Sequence, residues 1–347
     1  MGRKIGYVMN IDVGDLEKKT ILLLESIRKF SDADPFVIVI KPNLKPLSNN
    51  TLKYFFEKNV HFHEIEMGNF FTQNIMMSKV FIAFYAEILY DDILDYILLL
   101  DNDTIFLNNI EKNLFETNFL IAMRPTDFSD GSLLSFDNCP SVWKYLIKKY
   151  NLIENIKWKH KCVQDNVLAY ASFNDGFVLE RTGAHLFYKW KTMADSLQND
   201  KNFMALLTKD VNSLHYLSQI LISLILMKDF HPEDVKILDI KYNFNLQSIF
   251  FGHEIFFSNK NWIFKRLQLP LDSLIHIHYH KAFDSKSMLH YFNDKEHVSL
   301  LKSFVPFNKS LNLNKKIYRL ISKIFGMFKF IQYYIFYILL KKRSKKI

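Results

Sequence analysis

An α/β fold with a largely parallel sheet is what this 347-residue sequence predicts. Short apolar runs of strand type alternate with longer segments of helical spacing. No two-residue hairpin turn joins the strand-like runs, so their connections are read as helical crossovers. Hydrophobic residues make up 49% of the chain, enough for a sizeable core and too many for a disordered one.

The elements follow in order. Residues 5–9 read as a short buried strand, ended by a loop of Asn10, Ile11 and Asp12 with Gly14 beyond. Residues 16–30 carry Leu22, Leu23, Leu24, Ile27 and Phe30 at helical spacing. Residues 35–40 form a second strand, stopped by Lys41 and Pro42. Residues 48–58 read as a helix with Asn49 and Asn50 near its cap. A third, more polar strand spans 60–65, and a helix over 75–89 carries Lys79 and Glu87. Residues 96–100 form a fourth strand, apolar on both faces as a central parallel strand is. There is no internal repeat.

Several chemistries are excluded early. The nine glycines never fall two apart, so the dinucleotide fingerprint G-x-G-x-x-G is missing, as are the phosphate-binding P-loop and H-E-x-x-H. Cys139 and Cys162 are the only cysteines, which argues against a disulfide framework or a thiolate zinc site and fits a reducing compartment. The opening Met1-Gly2-Arg3-Lys4 leads into no apolar stretch of secretory type, and Gly6 stands where a myristoylation signal needs Ser or Thr.

Charge is uneven. The chain carries a net +9, yet twelve Lys/Arg and no acid follow Glu296, leaving −3 on the residues up to and including it. A nucleic-acid enzyme would carry its basic stripe on the body, so nucleic acid is not expected as a partner. A basic tail reads instead as an address for an anionic surface.

The main chemical signal closes the fourth strand, where Leu98-Leu99-Leu100 runs into Asp101-Asn102-Asp103-Thr104. Ligands of parallel sheets collect beyond the carboxyl ends of the strands. Two carboxylates there are hard oxygen ligands suited to Mn²⁺ or Mg²⁺ carrying a diphosphate. The competing reading is a solvated turn, which Asp and Asn favour anyway. A second signal is residues 274–280, where alternation puts His276, His278 and His280 on one face. One imidazole from that face can complete a Mn²⁺ site. Lys281 follows and can reach a phosphate. A third is Phe173-Asn174-Asp175-Gly176-Phe177-Val178-Leu179, where the spacing alone favours a turn and the alternative is a sugar-binding strand end.

Together these segments resemble the family 8 glycosyltransferases and related proteins of the GT-A fold, over about residues 4–283. Leu98 to Thr104 is similar to that family's strand and D-x-D. Phe173 to Leu179 is similar to its F-N-[AS]-G-V-x-L segment, with Asp175 in place of a small residue. Ser218-Gln219 stands where the family has Asp-Gln. Tyr242-Asn243-Phe244 and Ile277-His278-Tyr279 resemble later steps, the second supplying a metal-binding His. The family's Arg before D-x-D has no counterpart at its place, where Phe84 or Tyr85 falls, and its H-Y-x-G-x-x-K-P-W ending is not kept.

The resemblance implies a Rossmann-like, mostly parallel GT-A sheet with flanking helices. It implies transfer of a sugar from a nucleotide-diphosphate donor, a UDP-sugar by preference, to a hydroxyl of a glycan or lipid-linked acceptor. Asp101, Asp103 and His278 would hold Mn²⁺ or Mg²⁺. Asn10, Asp12, Lys79, Asn102 and Lys281 are the expected donor contacts, and Asn174, Asp175 and Gln219 would line the sugar and acceptor. Family 8 membership implies retention of anomeric configuration. The alternatives are inversion with Asp175 as general base and a relative without activity that only binds glycan or nucleotide.

The expected layout is a catalytic domain over 1–295, its nucleotide half at about 1–110 and its acceptor half at about 111–295. A linker follows over 296–310, and a basic aromatic tail over 311–347. The tail holds ten Lys/Arg, eight aromatics and no acid. Its apolar stretch 324–340 reaches about 25 Å as a helix, short of a bilayer core of about 30 Å. An amphipathic helix lying on the cytoplasmic leaflet is therefore expected, which makes the enzyme a peripheral membrane protein; the alternatives are a tilted span and packing on the body or a partner.

Overall fold

A computed structural model describes residues 3–31, 35–42, 45–68, 70, 75–127, 132–135, 137, 139–152, 159–162, 167–170, 172–245 and 273–279. Met1–Phe244 with Leu274–His278 make one compact unit, and Asn245–Ser273 with Tyr279–Ile347 make a second. His280, Lys281, the linker 296–310 and the tail 311–347 lie outside the described residues.

The alternation read from the sequence is present. β1 (Ile5–Asn10), α1 (Asp15–Phe30), β2 (Phe36–Pro42), α2 (Asn49–Glu57), β3 (His61–Ile65), α3 (Ile75–Tyr90) and β4 (Tyr96–Leu100) follow one another. One boundary differs from expectation. β2 runs on through Lys41 and Pro42, which pair with Glu64 and Ile65 of β3. Proline is tolerated there because pairing with β1 ends at Ile40, which leaves that side of β2 an edge. The cap of α2 is Ser48, its hydroxyl accepting from the Thr51 amide at 3.2 Å, with Asn49 and Asn50 next to it as expected.

Beyond β4 come β5 (Thr104–Phe106), β6 (Ile121–Pro125), α4 (Ser141–Lys149), the small hairpin of β7 (Lys159–Lys161) and β8 (Leu168–Tyr170), and β9 (Phe173–Arg181). Then α5 (Leu186–Gln198), α6 (Lys201–Leu207), α7 (Val211–His215), α8 (Leu217–Asp229) and β10 (Val235–Ile237) lead to β11 (Phe244–Asn245) and β12 (His276–His278).

Seven strands form the central sheet in the order β10-β6-β9-β4-β1-β2-β3. All neighbours pair parallel except β9, which runs antiparallel between β4 and β6. This is the mostly parallel α/β architecture with flanking helices that the sequence predicts. β12 pairs antiparallel with β5 in a second sheet, setting His278 opposite Thr104.

Side chains alternate to two cores. On β4, Ile97 and Leu99 join one cluster with Val80, Ala83 and Ala86 of α3, Trp190 of α5 and Leu221 of α8. Tyr96, Leu98 and Leu100 join the other with Leu23, Leu24 and Ile27 of α1 and Phe106 of β5. Burial on both faces explains why β4 reads as an unbroken apolar run.

The strand order reverses at β1, with β2 and β3 on one side and β4 on the other. The crevice beyond the carboxyl ends of β1 and β4 is therefore the topological switch point, the place where such sheets take ligands.

Candidate active site and metal centre

Asp101 follows the last residue of β4 and opens onto that crevice. Its amide donates to the Gly176 carbonyl of β9 at 3.1 Å, and its own carbonyl accepts from the Thr104 hydroxyl at 2.6 Å. The turn carrying Asp103 is thus tied at both ends. His278 approaches from β12, its Nε2 2.9 Å from Asp103 Oδ1 and 3.9 Å from Asp101 Oδ2. One ligand atom from each of Asp101, Asp103 and His278 lies within 4.8 Å of the others. Ligands about 2.1 Å from an octahedral ion stand about 3.0 Å apart when cis and about 4.2 Å when trans. The 2.9 and 3.9 Å separations from His278 fall in this range, and the three side chains could hold a metal ion.

The two described histidines of that strand differ. Burial and the neighbouring charges of His278 and Arg124 hold the His276 ring well below the usual range, and it is neutral. It lies against Phe106 and Phe177 with ring centroids 4.7 and 5.0 Å away, so it is a core residue. Burial alone would lower His278 as well, but the hydrogen bond to Asp103 and the charges of Asp103 and Asp101 raise it. Its proton must leave before Nε2 can ligate a cation.

Lys79 is not turned outward toward a phosphate. Its ammonium sits between Asp101 Oδ1 at 2.6 Å and Asp175 Oδ1 at 3.2 Å. Burial by itself would lower its pKa; the two carboxylates reverse that and raise it. Asp175 is 1% exposed, and its Oδ2 has no hydrogen-bond partner among the described residues.

The segment around Asp175 is a strand, not the turn its Asn-Asp-Gly text favours. Met123 pairs with Val178 and Pro125 with Phe173, so the register between β6 and β9 shifts inside this stretch. Phe173 and Val178 consequently face the same core although they are five positions apart. Such a bulge re-aims side chains beside a site; here Asp175 meets Lys79 of α3. Asn174 Oδ1 accepts from the Asn243 side chain at 2.7 Å and from the Gly176 amide at 2.8 Å.

The remaining expected contacts separate. Asn10 and Asp12 stand at the carboxyl end of β1, where Asp12 Oδ1 accepts from the Val13 amide at 2.7 Å. Asn102 is buried and points inward, donating to the Asn10 carbonyl and to Thr20 Oγ1 of α1. These bonds tie β4 to β1 and α1, and its Oδ1 has no hydrogen-bond partner among the described residues. Gln219 lies in the first turn of α8 and makes no hydrogen bond to the Asp101 group among the described residues. Lys281 lies outside the described residues.

Two residues join the site that sequence reasoning left out of it. Lys19 of α1 brings Nζ to 3.8 Å from Asp103 Oδ2. Asn243, in the left-handed region at φ 51°, holds Asn174. The resemblance of Tyr242-Asn243-Phe244 to a later step of the family was a usable signal; Lys19 offered none beyond its helix facing the crevice.

At the opposite end of the sheet, Glu87, Asp91 and His185 also gather three ligand-type side chains within 4.8 Å. Glu87 accepts from the Tyr188 amide at 2.6 Å and pairs with His185 at 3.0 Å, while Asp91 accepts from the Gly183 amide at 2.8 Å. These carboxylates serve the amino end of α5.

Among the described residues, no helix is long and apolar enough to cross a membrane. No curated protein matches the chain. The solved apo structure of the WbbM bifunctional glycosyltransferase is similar with a TM-score of 0.46 and 13% identity, covering 87% of this chain and 52% of WbbM. This chain thus spans about half the length of WbbM. Mouse xyloside xylosyltransferase 1, also apo, gives a TM-score of 0.37 and 12% identity, covering 81% of this chain and 98% of that one. Residues 7–228, the greater part of the chain, match the model of the Rhodobacterales glycosyltransferase domain, and this protein belongs to that family of glycosyltransferases.

Proposed function

We propose that the chain transfers a sugar from a nucleotide-diphosphate donor, by preference a UDP-sugar, to a hydroxyl of a glycan or lipid-linked acceptor. The observation that carries this reading is the meeting of Asp101, Asp103 and His278 at the switch point of the sheet. Mn²⁺ or Mg²⁺ bound there supplies Lewis-acid neutralisation of the departing diphosphate. Asp101 and Asp103 hold it by oxygen and His278 by Nε2. Lys19 adds positive charge on the Asp103 side. Asn10 and Asp12 border the crevice where the nucleoside would lie, and Asn174 borders it beside Gly176.

Retention of configuration fits this geometry better than inversion with Asp175 as base. A general base must reach the proton that it removes, and Asp175 is buried against an ammonium. The family 8-like GT-A assignment, the domain limits 1–295, 296–310 and 311–347, and the cytoplasmic peripheral-membrane location belong to the same proposal. The last rests on the basic aromatic composition of 311–347.

A thermal-shift panel of nucleotides and nucleotide sugars, with and without Mn²⁺, tests the class. Stabilisation that needs both ligand and ion, and that Asp101→Ala abolishes with the fold intact, is the expected result. Stabilisation by a sugar nucleotide that is indifferent to the ion and to Asp101 would refute it. Co-sedimentation with anionic vesicles, lost on deleting 311–347, tests the location.

A further inference from the structure

The two oxygens of Asp101 face different surroundings. Oδ1 meets the Lys79 ammonium at 2.6 Å. Oδ2 lies 3.9 Å from His278 Nε2, and a Cβ at position 176 would come within 2.7 Å of it. A carboxylate turns easily about its last torsion, whose wells are broad. One oxygen must therefore be fixed from behind if the other is to keep a set direction.

Lys79 sits where such a hold is needed. Its side chain is 10% exposed, and its second partner, Asp175, is almost wholly buried. The bulge in β9 turns Asp175 to the α3 face, so two features far apart in the chain converge on one oxygen. Buried ion pairs are weak sources of stability, since desolvation offsets their attraction. Three charged groups beneath a strand end are better explained by what they orient.

We infer that Lys79 and Asp175 are positioning residues for the metal-holding carboxylate: Asp175 fixes the ammonium, the ammonium fixes Asp101 Oδ1, and Oδ2 is thereby presented to the ion. The inference rests on the metal reading given above. It differs from a simpler scheme in which the ammonium replaces the ion by competing for Asp101.

The two schemes predict opposite signs. Mn²⁺ titration of the full chain, followed by electron paramagnetic resonance, compares wild type with Lys79→Met, Asp175→Asn and the exposed control Lys53→Met. Melting of each protein without metal checks the fold. Loss of an outer partner typically weakens metal binding about 10- to 100-fold. That loss is expected for Lys79→Met, with about tenfold for the isosteric Asp175→Asn and none for the control. In turnover, the half-saturating Mn²⁺ concentration rises more than kcat falls. Unchanged or tighter Mn²⁺ binding in Lys79→Met overturns the inference in favour of competition. Should Lys79→Met fail to fold, Asp175→Asn decides alone, and wild-type affinity in that variant overturns the inference. Failure of the wild-type chain to bind Mn²⁺ refutes the metal reading itself, and the inference with it.

Discussion

His278 Nε2 stands 2.9 Å from Asp103 Oδ1 across a separation of 175 residues. The β5–β12 register makes this contact, because it sets His278 opposite Thr104, next to the aspartate. A substitution that keeps the shape and removes the charge should therefore act on metal more than on fold. Asp103→Asn is expected to lower Mn²⁺ affinity by more than the 10- to 100-fold typical of an outer partner. Its metal-free melting temperature should stay within a few degrees of wild type. Isothermal titration and a melting curve check both statements.

Gly176 has no room for a side chain. A Cβ there would lie 2.7 Å from Asp101 Oδ2, 3.1 Å from Asn174 Oδ1 and 3.1 Å from Asn243 Nδ2. All three atoms are polar and bear on the site, so relief of the clash must move one of them. Gly176→Ala is expected to cut kcat/KM at least tenfold while the far-ultraviolet circular dichroism is unchanged. Full activity in this variant would show that the site tolerates the shift.

Asn102 is a clamp and should behave as one. Asn102→Ala removes its hydrogen bonds to the Asn10 carbonyl and Thr20. Thr20 keeps its bonds to the Leu16 and Asn10 carbonyls, so the loss is that of the hydrogen bonds themselves, about 0.5–1.5 kcal/mol each. Urea unfolding at equilibrium is the measurement. A donor contact would instead show as a raised KM for the nucleotide sugar at unchanged stability.

Glu180 gives the protein a pH dependence far from the site. It is fully buried, its Oε1 accepting from the Leu186 amide at 2.7 Å. Burial, and then the nearby Glu87 charge, raise its pKa well above 4.5. Between that value and the raised one, the folded chain holds more protons than the unfolded chain. Stability therefore falls as pH rises through this window. Glu180→Gln keeps an acceptor for Leu186 and removes the titration. Its melting temperature should exceed that of wild type at pH 8, and the fall between pH 5 and pH 8 should flatten. Parallel slopes in the two proteins would contradict this origin.

Much of the fold was legible. β1, β2 and β4 are apolar runs closed by turn residues, the third strand is more polar, and α1 carries its leucines at helical spacing. The Asp101–Asp103 pair was legible because a strand end in a parallel sheet is a privileged place. What escaped was set by distant partners. Asn174-Asp175-Gly176 has turn chemistry, yet pairing with β4 and β6 on either side outweighs it, and a bulge absorbs the conflict. Alternation could not separate His276 from His278, since both face the same way; only Phe106, Phe177 and Asp103 distinguish them. Nor could local pattern show that Lys79 meets a residue 96 positions later.

The antiparallel strand β9 has a consequence for synthesis. β6 has only β9 and β10 as neighbours, and β4 has only β1 and β9. Until the ribosome has delivered residue 181, one side of β4 is an open edge, and β6 has nothing to lean on. Open apolar edges invite association between chains. Polypeptides truncated between β6 and β9 should thus be the stickiest length on the way to the whole protein.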